Sequence, residues 1–148
     1  MGVDVARTYP RSAGAFAAAK VVLGYDLLAL CEHGPEEKLR ETRYAQPAIF
    51  VTNVALAYAV SDVLDPVVSA GHSFGEFCSL TLAGALPFET ALALVSERGL
   101  AMHRAADLAP GAMAAVLGLA PDALRAAVAQ ATQRGAGRVQ LANFNAPG

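Results

Sequence analysis

The most constraining feature of the sequence is a serine between two glycines, at residues 71–75, which follows a short apolar run and precedes a helical pattern. The run Val67 to Gly71 is apolar and rich in β-branched residues, which is typical of a buried strand. Glu76 to Ala83 has a helical pattern that ends at Gly84. When Gly-x-Ser-x-Gly connects a strand to a following helix, it forms a tight turn that exposes the serine above a sheet. The pattern therefore predicts an α/β fold with Ser73 at this turn.

The surroundings of Ser73 suit it to nucleophilic chemistry. A serine on such a turn has strained backbone angles, and we expect Gly71 and Gly75 to relieve crowding with the neighbouring strand and helix. The positive end of the following helix favours a developing oxyanion, and the backbone N–H of Phe74 is the predicted donor to it. A glycine-rich turn with a capping serine is the competing interpretation, but it does not explain both glycines and the strand together.

The patterns along the chain indicate two regions. Up to about residue 109 they are mainly helical, whereas the last third predicts a strand, a helix and a strand. We therefore expect one domain over residues 1–109 and a second over residues 110–148. The predicted helices of the first region, besides the one after Ser73, are Tyr9–Leu23, Gln46–Val63 and Pro87–Asp107. A short turn is predicted at Leu27–Cys31 and a short helical turn at Glu36–Arg40. The predicted elements of the second region are the strand Ala112–Leu117, the helix Pro121–Gln133, stopped at Gly135–Gly137, and the strand Arg138–Asn143.

Charge and composition argue against several classes of function. The net charge is −2 and the basic residues are scattered, so we expect no nucleic-acid partner. No apolar run has the length of a membrane span and the N-terminus lacks a signal-peptide pattern, so we expect no membrane partner. Cys31 and Cys78 are predicted to be buried thiols of a cytoplasmic protein, and the three histidines are too scattered to suggest a metal site.

The six residues Gly71 to Glu76 resemble the acyltransferase form of this turn, Gly-His-Ser-x-Gly-Glu. Other segments are similar to landmarks of the same family and occur in the family's order. Together they make the chain similar to the malonyl-CoA:acyl-carrier-protein transacylases of fatty-acid synthesis and the acyltransferase domains of polyketide synthases. These segments are Leu23–Leu27, Gln46–Ala48, Glu97–Gly99, Gly111–Ala115 and Asn143–Gly148.

The resemblance implies a fold and a reaction. The family has a hydrolase-like α/β core with an inserted ferredoxin-like subdomain, so residues 1–109 would be part of the core. Residues 110–148 would then be the first half, β-α-β, of the insert. By resemblance, Ser73 attacks malonyl-CoA and holds the malonyl group as an ester, which passes to the phosphopantetheine thiol of acyl carrier protein. No cofactor is expected on this chain, because the carrier protein brings the phosphopantetheine.

The resemblance also implies roles for other side chains. Arg98 would grip the malonyl carboxylate, for which a guanidinium offers a bidentate, charge-assisted clamp. Met102, at i+4 from Arg98, would line the same pocket or belong to the core. His72 is expected to support the turn, since adjacent residues at a strand end point in opposite directions. Gln46 would brace the site, although a polar residue at a helix start explains it equally well.

Two residues of the second region complete the set of candidate site residues. Asn143 and Asn145 fall near the pocket in the family, and the alternative for both is turn chemistry before Pro147.

Two parts of the family pattern have no counterpart in the sequence. These are an N-terminal loop whose glutamine gives a second oxyanion donor, and a general-base histidine far beyond the serine. We therefore expect a truncated form with little turnover, because a serine hydroxyl without a base is a weak nucleophile. Two alternatives stay open: a serine esterase or thioesterase of the α/β-hydrolase class, and a non-catalytic fragment that binds acyl-CoA or carrier protein.

Overall fold

A computed structural model describes residues 1–135 and 137–145, and this part of the chain contains eight helices. It divides into two compact units, Met1–Pro110 and Gly111–Gly148. Residues 136 and 146–148 lie outside the described residues. They belong to the predicted helix stop at Gly135–Gly137 and to the family-like segment Asn143–Gly148. The helices are α1 Val3–Thr8, α2 Pro10–Leu23, α3 Leu27–His33, α4 Glu36–Arg40, α5 Thr42–Val60, α6 Gly75–Leu82, α7 Phe88–Leu108 and α8 Pro121–Gln133.

The core of the first unit lies between helices α2, α5 and α7. Apolar residues recur on α5 and α7 at spacings of three and four, so each helix presents one continuous apolar face. Burial of a large aliphatic or aromatic side chain contributes about 1.5–3 kcal/mol, so this core fixes the position of both helices. Its largest fully buried side chains are Phe50, Val51 and Val54 of α5, Leu92 and Val95 of α7, and Leu27 of α3.

Local signals set several helix ends as the sequence predicts. Pro10 occupies the first turn of α2, where its missing N–H has no intrahelical partner to lose. Asp26 caps α3, and its side chain accepts a hydrogen bond of 2.9 Å from the backbone N–H of Ala29. Gly84 adopts a left-handed conformation just beyond the end of α6. The predicted burial of Cys31 and Cys78 is also confirmed.

The start of α5 differs from the prediction. The helix begins at Thr42 rather than at Gln46, and Pro47 lies inside it instead of in its first turn. An internal proline removes one backbone hydrogen bond and costs about 3 kcal/mol, so packing must stabilise the extra turn. That turn lies close to α7, where a Cβ added to Gly99 would be 3.0 Å from the carbonyl oxygen of Thr42. The close approach also explains the glycine inside α7.

The three predicted strands are not strands in the structure. Within the described residues, no strand is present at any of the three predicted positions, which are Val67–Gly71, Ala112–Leu117 and Arg138–Asn143. A strand needs a neighbouring strand for its backbone hydrogen bonds, and the described part of the chain supplies none here. Val67 and Val68 are consequently 99% and 81% exposed, although their composition suits a buried strand. The β-α-β prediction for the second region is therefore correct only for its helix.

The second unit consists of α8 and the segments on either side of it. Leu124 and Val128 of α8 line a cleft of about 440 Å³ together with apolar residues of both segments. The guanidinium of Arg125 lies 5.0 Å from the centre of the Phe144 ring, within the range of a cation–π contact. These contacts hold the segment after α8 against that helix.

Among the described residues, no single helix is both long and apolar enough to cross a membrane. In that part of the chain, one pair of helices, α2 and α3, is long and apolar enough when taken together, and the two meet at a bend of 108°.

Thr52 offers a way to stabilise the first unit. Its side chain is buried in α5, and its Oγ1 has no hydrogen-bond partner within the described residues. Valine has nearly the same shape and removes this hydroxyl, so we expect Thr52→Val to raise the free energy of unfolding by about 1 kcal/mol. Urea unfolding followed by circular dichroism measures the change.

Ser12 provides the matched control for Thr52→Val. Its hydroxyl is also buried but donates a hydrogen bond of 2.7 Å to the carbonyl of Ala55. Ser12→Ala should therefore lower the free energy of unfolding by about 1 kcal/mol, because this buried hydrogen bond to the Ala55 carbonyl is lost. A decrease for Thr52→Val as well would show that its hydroxyl is satisfied.

Candidate active site

Ser73 lies on a strained turn immediately before α6. Its φ of 56° makes it the one non-glycine residue with a positive φ in the part of the chain that is described. Such a conformation costs a residue with a Cβ about 1–3 kcal/mol and occurs mainly at functional sites. The turn closes through a hydrogen bond of 2.9 Å from the Gly75 N–H to the His72 carbonyl. The strained backbone predicted for this serine is confirmed.

The two glycines of the turn have different roles. A Cβ at Gly71 would lie only 1.9 Å from the carbonyl carbon of Gly75, so the backbone leaves no room for a side chain there. A Cβ at Gly75, by contrast, would meet nothing within 4 Å among the described residues. The prediction that both glycines relieve crowding is thus right for Gly71 and wrong for Gly75. The reason is that the first turn of α6 crosses over Gly71, while Gly75 faces open space.

Arg98 extends from α7 to the nucleophile turn. Its Nη2 donates a hydrogen bond of 3.0 Å to the Oγ of Ser73. Its Nη1 donates one of 2.6 Å to the Oε1 of Gln46, in the second turn of α5. The Nε2 of Gln46 in turn donates to the Sδ of Met102 at 3.2 Å. The structure therefore brings together four of the predicted site residues from three separate segments.

Burial differs among these four residues. The side chain of Gln46 is buried, with 6% exposed, whereas Met102 is 46% exposed and Ser73 lies at the surface. The contacts that the structure describes for Arg98 are with neutral groups, and it forms no ion pair with a described carboxylate. A half-buried guanidinium without a carboxylate partner can bind the carboxylate of a ligand.

A cleft of about 490 Å³ adjoins the turn. Phe74 lies at the N-cap of α6 with its side chain packed against the core, and His72 lines the same cleft. The Phe74 N–H as oxyanion donor and His72 as a support of the turn stay predictions. The cleft is lined by Ile49, Asn53, Ala70, His72, Phe74 and Cys78, besides the two glycines.

Asn53 and Cys78 were not predicted as neighbours of the site. Asn53 could have been found from its position on α5, since it is seven residues after Gln46 and therefore on the same side of the helix. Burial raises the pKa of the Cys78 thiol. The thiol thus stays protonated at neutral pH and does not compete with Ser73 as a nucleophile.

Asn143 and Asn145 belong to the second unit. Both line its apolar cleft, beside Phe144. Their assignment as site residues stays a prediction.

Comparison with known proteins extends these observations. Residues 1–148 match a family model described as acyl transferase domain. The chain is 39% identical over 150 residues to the malonyl CoA-acyl carrier protein transacylase of Escherichia coli strain K12, covering all of this chain and 48% of that protein. A crystal structure of an acyl carrier protein S-malonyltransferase from Vibrio cholerae has a TM-score of 0.87 at 41% identity, covering 100% of this chain and 48% of the other.

A third relative was solved with a partner. It is a malonyl-transacylase in complex with its type II polyketide acyl carrier protein, with a TM-score of 0.83 and 36% identity, covering 98% of this chain and 47% of the other. The chain spans about half the length of the relatives it matches. The family model covers the whole chain, including the turn at Ser73 and the helix of Arg98. The chain therefore belongs to the acyl transferase domain family.

Proposed function

We propose that this chain is the nucleophile-bearing part of an enzyme that transfers a malonyl group from malonyl-CoA to acyl carrier protein. The observation that carries the proposal is the 3.0 Å contact between Arg98 Nη2 and Ser73 Oγ. It puts a cation within reach of a short acyl group attached to the serine. The malonyl group has one methylene between its ester carbon and its carboxylate, so its charged end falls where Arg98 is held.

The reaction proceeds in two balanced steps. In the first, Ser73 Oγ attacks the thioester carbonyl of malonyl-CoA, the carbon–sulfur bond breaks, and the serine proton ends on the sulfur of coenzyme A. In the second, the phosphopantetheine thiol of the carrier protein attacks the seryl ester, the bond between the acyl carbon and Oγ breaks, and the thiol proton returns to Oγ. Each tetrahedral intermediate carries negative charge, which the Phe74 N–H and the N-terminus of α6 stabilise in this proposal.

Arg98 selects the acyl group by its carboxylate. A guanidinium has five N–H donors, and the contacts with Gln46 and Ser73 use two of them. The remaining donors lie on a planar fork that matches the two oxygens of a carboxylate. An acetyl group has the same thioester chemistry but no charge for this fork, so the preference for malonyl depends on Arg98.

The rate of the isolated chain is expected to be low. Removal of one oxyanion donor alone slows acyl transfer by about 10²–10³, and an unassisted serine hydroxyl is a poor nucleophile. Since the chain spans about half the length of its relatives, turnover at a normal rate is proposed for the longer protein. A single slow acylation is nevertheless expected here, because Ser73 and Arg98 are already positioned.

The proposed partners follow from the reaction. The acyl donor is malonyl-CoA, and the acceptor is the acyl carrier protein, with which one similar malonyl-transacylase has been solved as a complex. No cofactor is proposed, because the thiol that takes part belongs to the carrier protein. A cytoplasmic location is proposed as well, and the free thiols of Cys31 and Cys78 support it because cytoplasmic thiols stay reduced.

The proposal is tested by incubating the chain with malonyl-CoA and measuring its intact mass over several hours. We expect a slow gain of one malonyl group, because Oγ of Ser73 is exposed on a strained turn beside the carboxylate-binding cation. Ser73→Ala is the control and should gain nothing, since it lacks the attacking oxygen. Equal labelling of the control, or no labelling of the wild type, would contradict the assignment of Ser73.

Two further assays, hydrolysis of a neutral ester and ligand binding by Ser73→Ala, separate the alternatives. A serine esterase or thioesterase would hydrolyse a neutral p-nitrophenyl ester with a burst of released p-nitrophenol and would show no preference for a charged acyl group. A fragment that only binds acyl-CoA or carrier protein would hold its ligand equally well as Ser73→Ala and form no covalent adduct. The contact of Arg98 with Ser73 favours the malonyl transferase over both.

A further inference from the structure

Two residues, Gln46 and Met102, continue the contact between Ser73 and Arg98 into the protein. Arg98 Nη1 donates to Gln46 Oε1 at 2.6 Å, and Gln46 Nε2 donates to Met102 Sδ at 3.2 Å. Arg98 and Met102 are four residues apart on α7, so they lie on one side of that helix. Gln46 belongs to α5 and reaches across to both. One amide group therefore bridges two side chains of the neighbouring helix.

The chemistry of the three groups allows only one orientation of the amide. A guanidinium has donors and no acceptor, so the carbonyl oxygen of Gln46 must face Arg98. Its NH₂ group then faces Met102, whose thioether sulfur is a weak acceptor. A flipped amide would place two donors against each other at Arg98 and leave an oxygen against the sulfur. Because Gln46 is buried, water cannot easily compensate such a mismatch.

We propose that Gln46 and Met102 act as one positioning unit, which holds the Arg98 guanidinium in place for the carboxylate of the acyl donor. The inference rests on the proposed function and assigns Met102 a role other than lining the pocket. Arginine has many rotamers, and their loss opposes ligand binding. With Nη1 anchored to Gln46, the fork is already ordered and Nη2 is directed to Ser73. Gln46 and Met102 therefore favour acyl donors that carry a carboxylate, although neither residue contacts the donor in this proposal.

The inference is tested by the affinities of the 148-residue chain for malonyl-CoA and acetyl-CoA, measured by isothermal titration calorimetry. Loss of a hydrogen bond to a charged group predicts that Gln46→Leu reduces the malonyl-over-acetyl preference by roughly tenfold. Met102→Leu keeps the volume and removes only the sulfur acceptor, and should reduce the preference about threefold. Thr52→Val, another buried polar-to-apolar change on α5, is the control and should keep the wild-type preference.

The ratio of the two affinities separates positioning from a merely structural role. General damage to the fold would lower both affinities together, whereas loss of positioning lowers the affinity for malonyl-CoA selectively. Met102 is half-exposed, so Met102→Leu keeps the test available if Gln46→Leu does not fold. An unchanged ratio in a folded variant of either residue, with a wild type that prefers malonyl-CoA, would overturn this inference alone. Equal affinities in the wild type would overturn the proposed function and this inference with it.

Discussion

Replacement of Arg98 by alanine is expected to abolish the preference of Ser73 for malonyl over acetyl donors. The side chain contributes two hydrogen-bonding N–H groups and the positive charge at the nucleophile, and its contacts with Gln46 and Ser73 fix its position. Truncating one partner of such a charge pair typically costs about 2–5 kcal/mol, so the preference should fall by roughly 30- to 5,000-fold. Competition between equimolar malonyl-CoA and acetyl-CoA, read as the two intact masses, measures it directly.

Lysine at the same position is the matched control. Arg98→Lys retains the charge but not the planar fork or its contact with Gln46, so the preference should be intermediate. The preference for malonyl over acetyl should therefore decrease in steps from arginine to lysine to alanine at this position. If Arg98→Ala kept the wild-type ratio of malonylated to acetylated protein, the carboxylate would be recognised elsewhere and the malonyl assignment would lose its main support.

Gly71→Ala is expected to have the second large effect, because it removes the turn on which Ser73 depends. The added Cβ would lie 1.9 Å from the carbonyl carbon of Gly75, and that neighbour is backbone that cannot rotate away. We expect the free energy of unfolding to fall by roughly 3 kcal/mol and acylation of Ser73 to fall at least about 10²-fold. Urea unfolding and intact-mass labelling with malonyl-CoA give the two values.

Gly75→Ala serves as the control, since its Cβ has open space around it and alanine favours a helix over glycine by about 1 kcal/mol. This variant should remain folded and become labelled like the wild type. Two glycines that are equivalent in the sequence pattern should therefore give opposite results. Normal labelling of Gly71→Ala would mean that the turn tolerates a different path of the backbone.

The helix ends were predictable because the signals that set them are local. Pro10 in a first turn and the cap at Asp26 each act within a few residues of their own position. The start of α5 was not predictable, because the turn before Pro47 is stabilised by contact with α7 rather than by its own sequence. The run Val67–Gly71 has a strand composition, yet a strand exists only with a partner, and the described residues provide none.

The candidate site was predictable in its types of residue but not in its contacts. Ser73 and Arg98 were found through the glycine pattern and the family resemblance, and the structure supplies the 3.0 Å contact between them. The contact of Gln46 with Met102 joins residues 56 positions apart, and nothing in the neighbourhood of either residue indicates it. Contacts of this kind depend on how α5 packs against α7 and need coordinates.

Val67 and Val68 make the segment that leads to Ser73 prone to self-association. Both side chains stand in water, and the backbone beside them has no strand partner among the described residues. A short β-branched segment in this state readily pairs with the same segment of another molecule. Concentrated or overexpressed samples are thus expected to aggregate through the segment Val67–Gly71. Because this segment leads directly to Ser73, the same association would remove both the solubility of the protein and the reactivity of its serine.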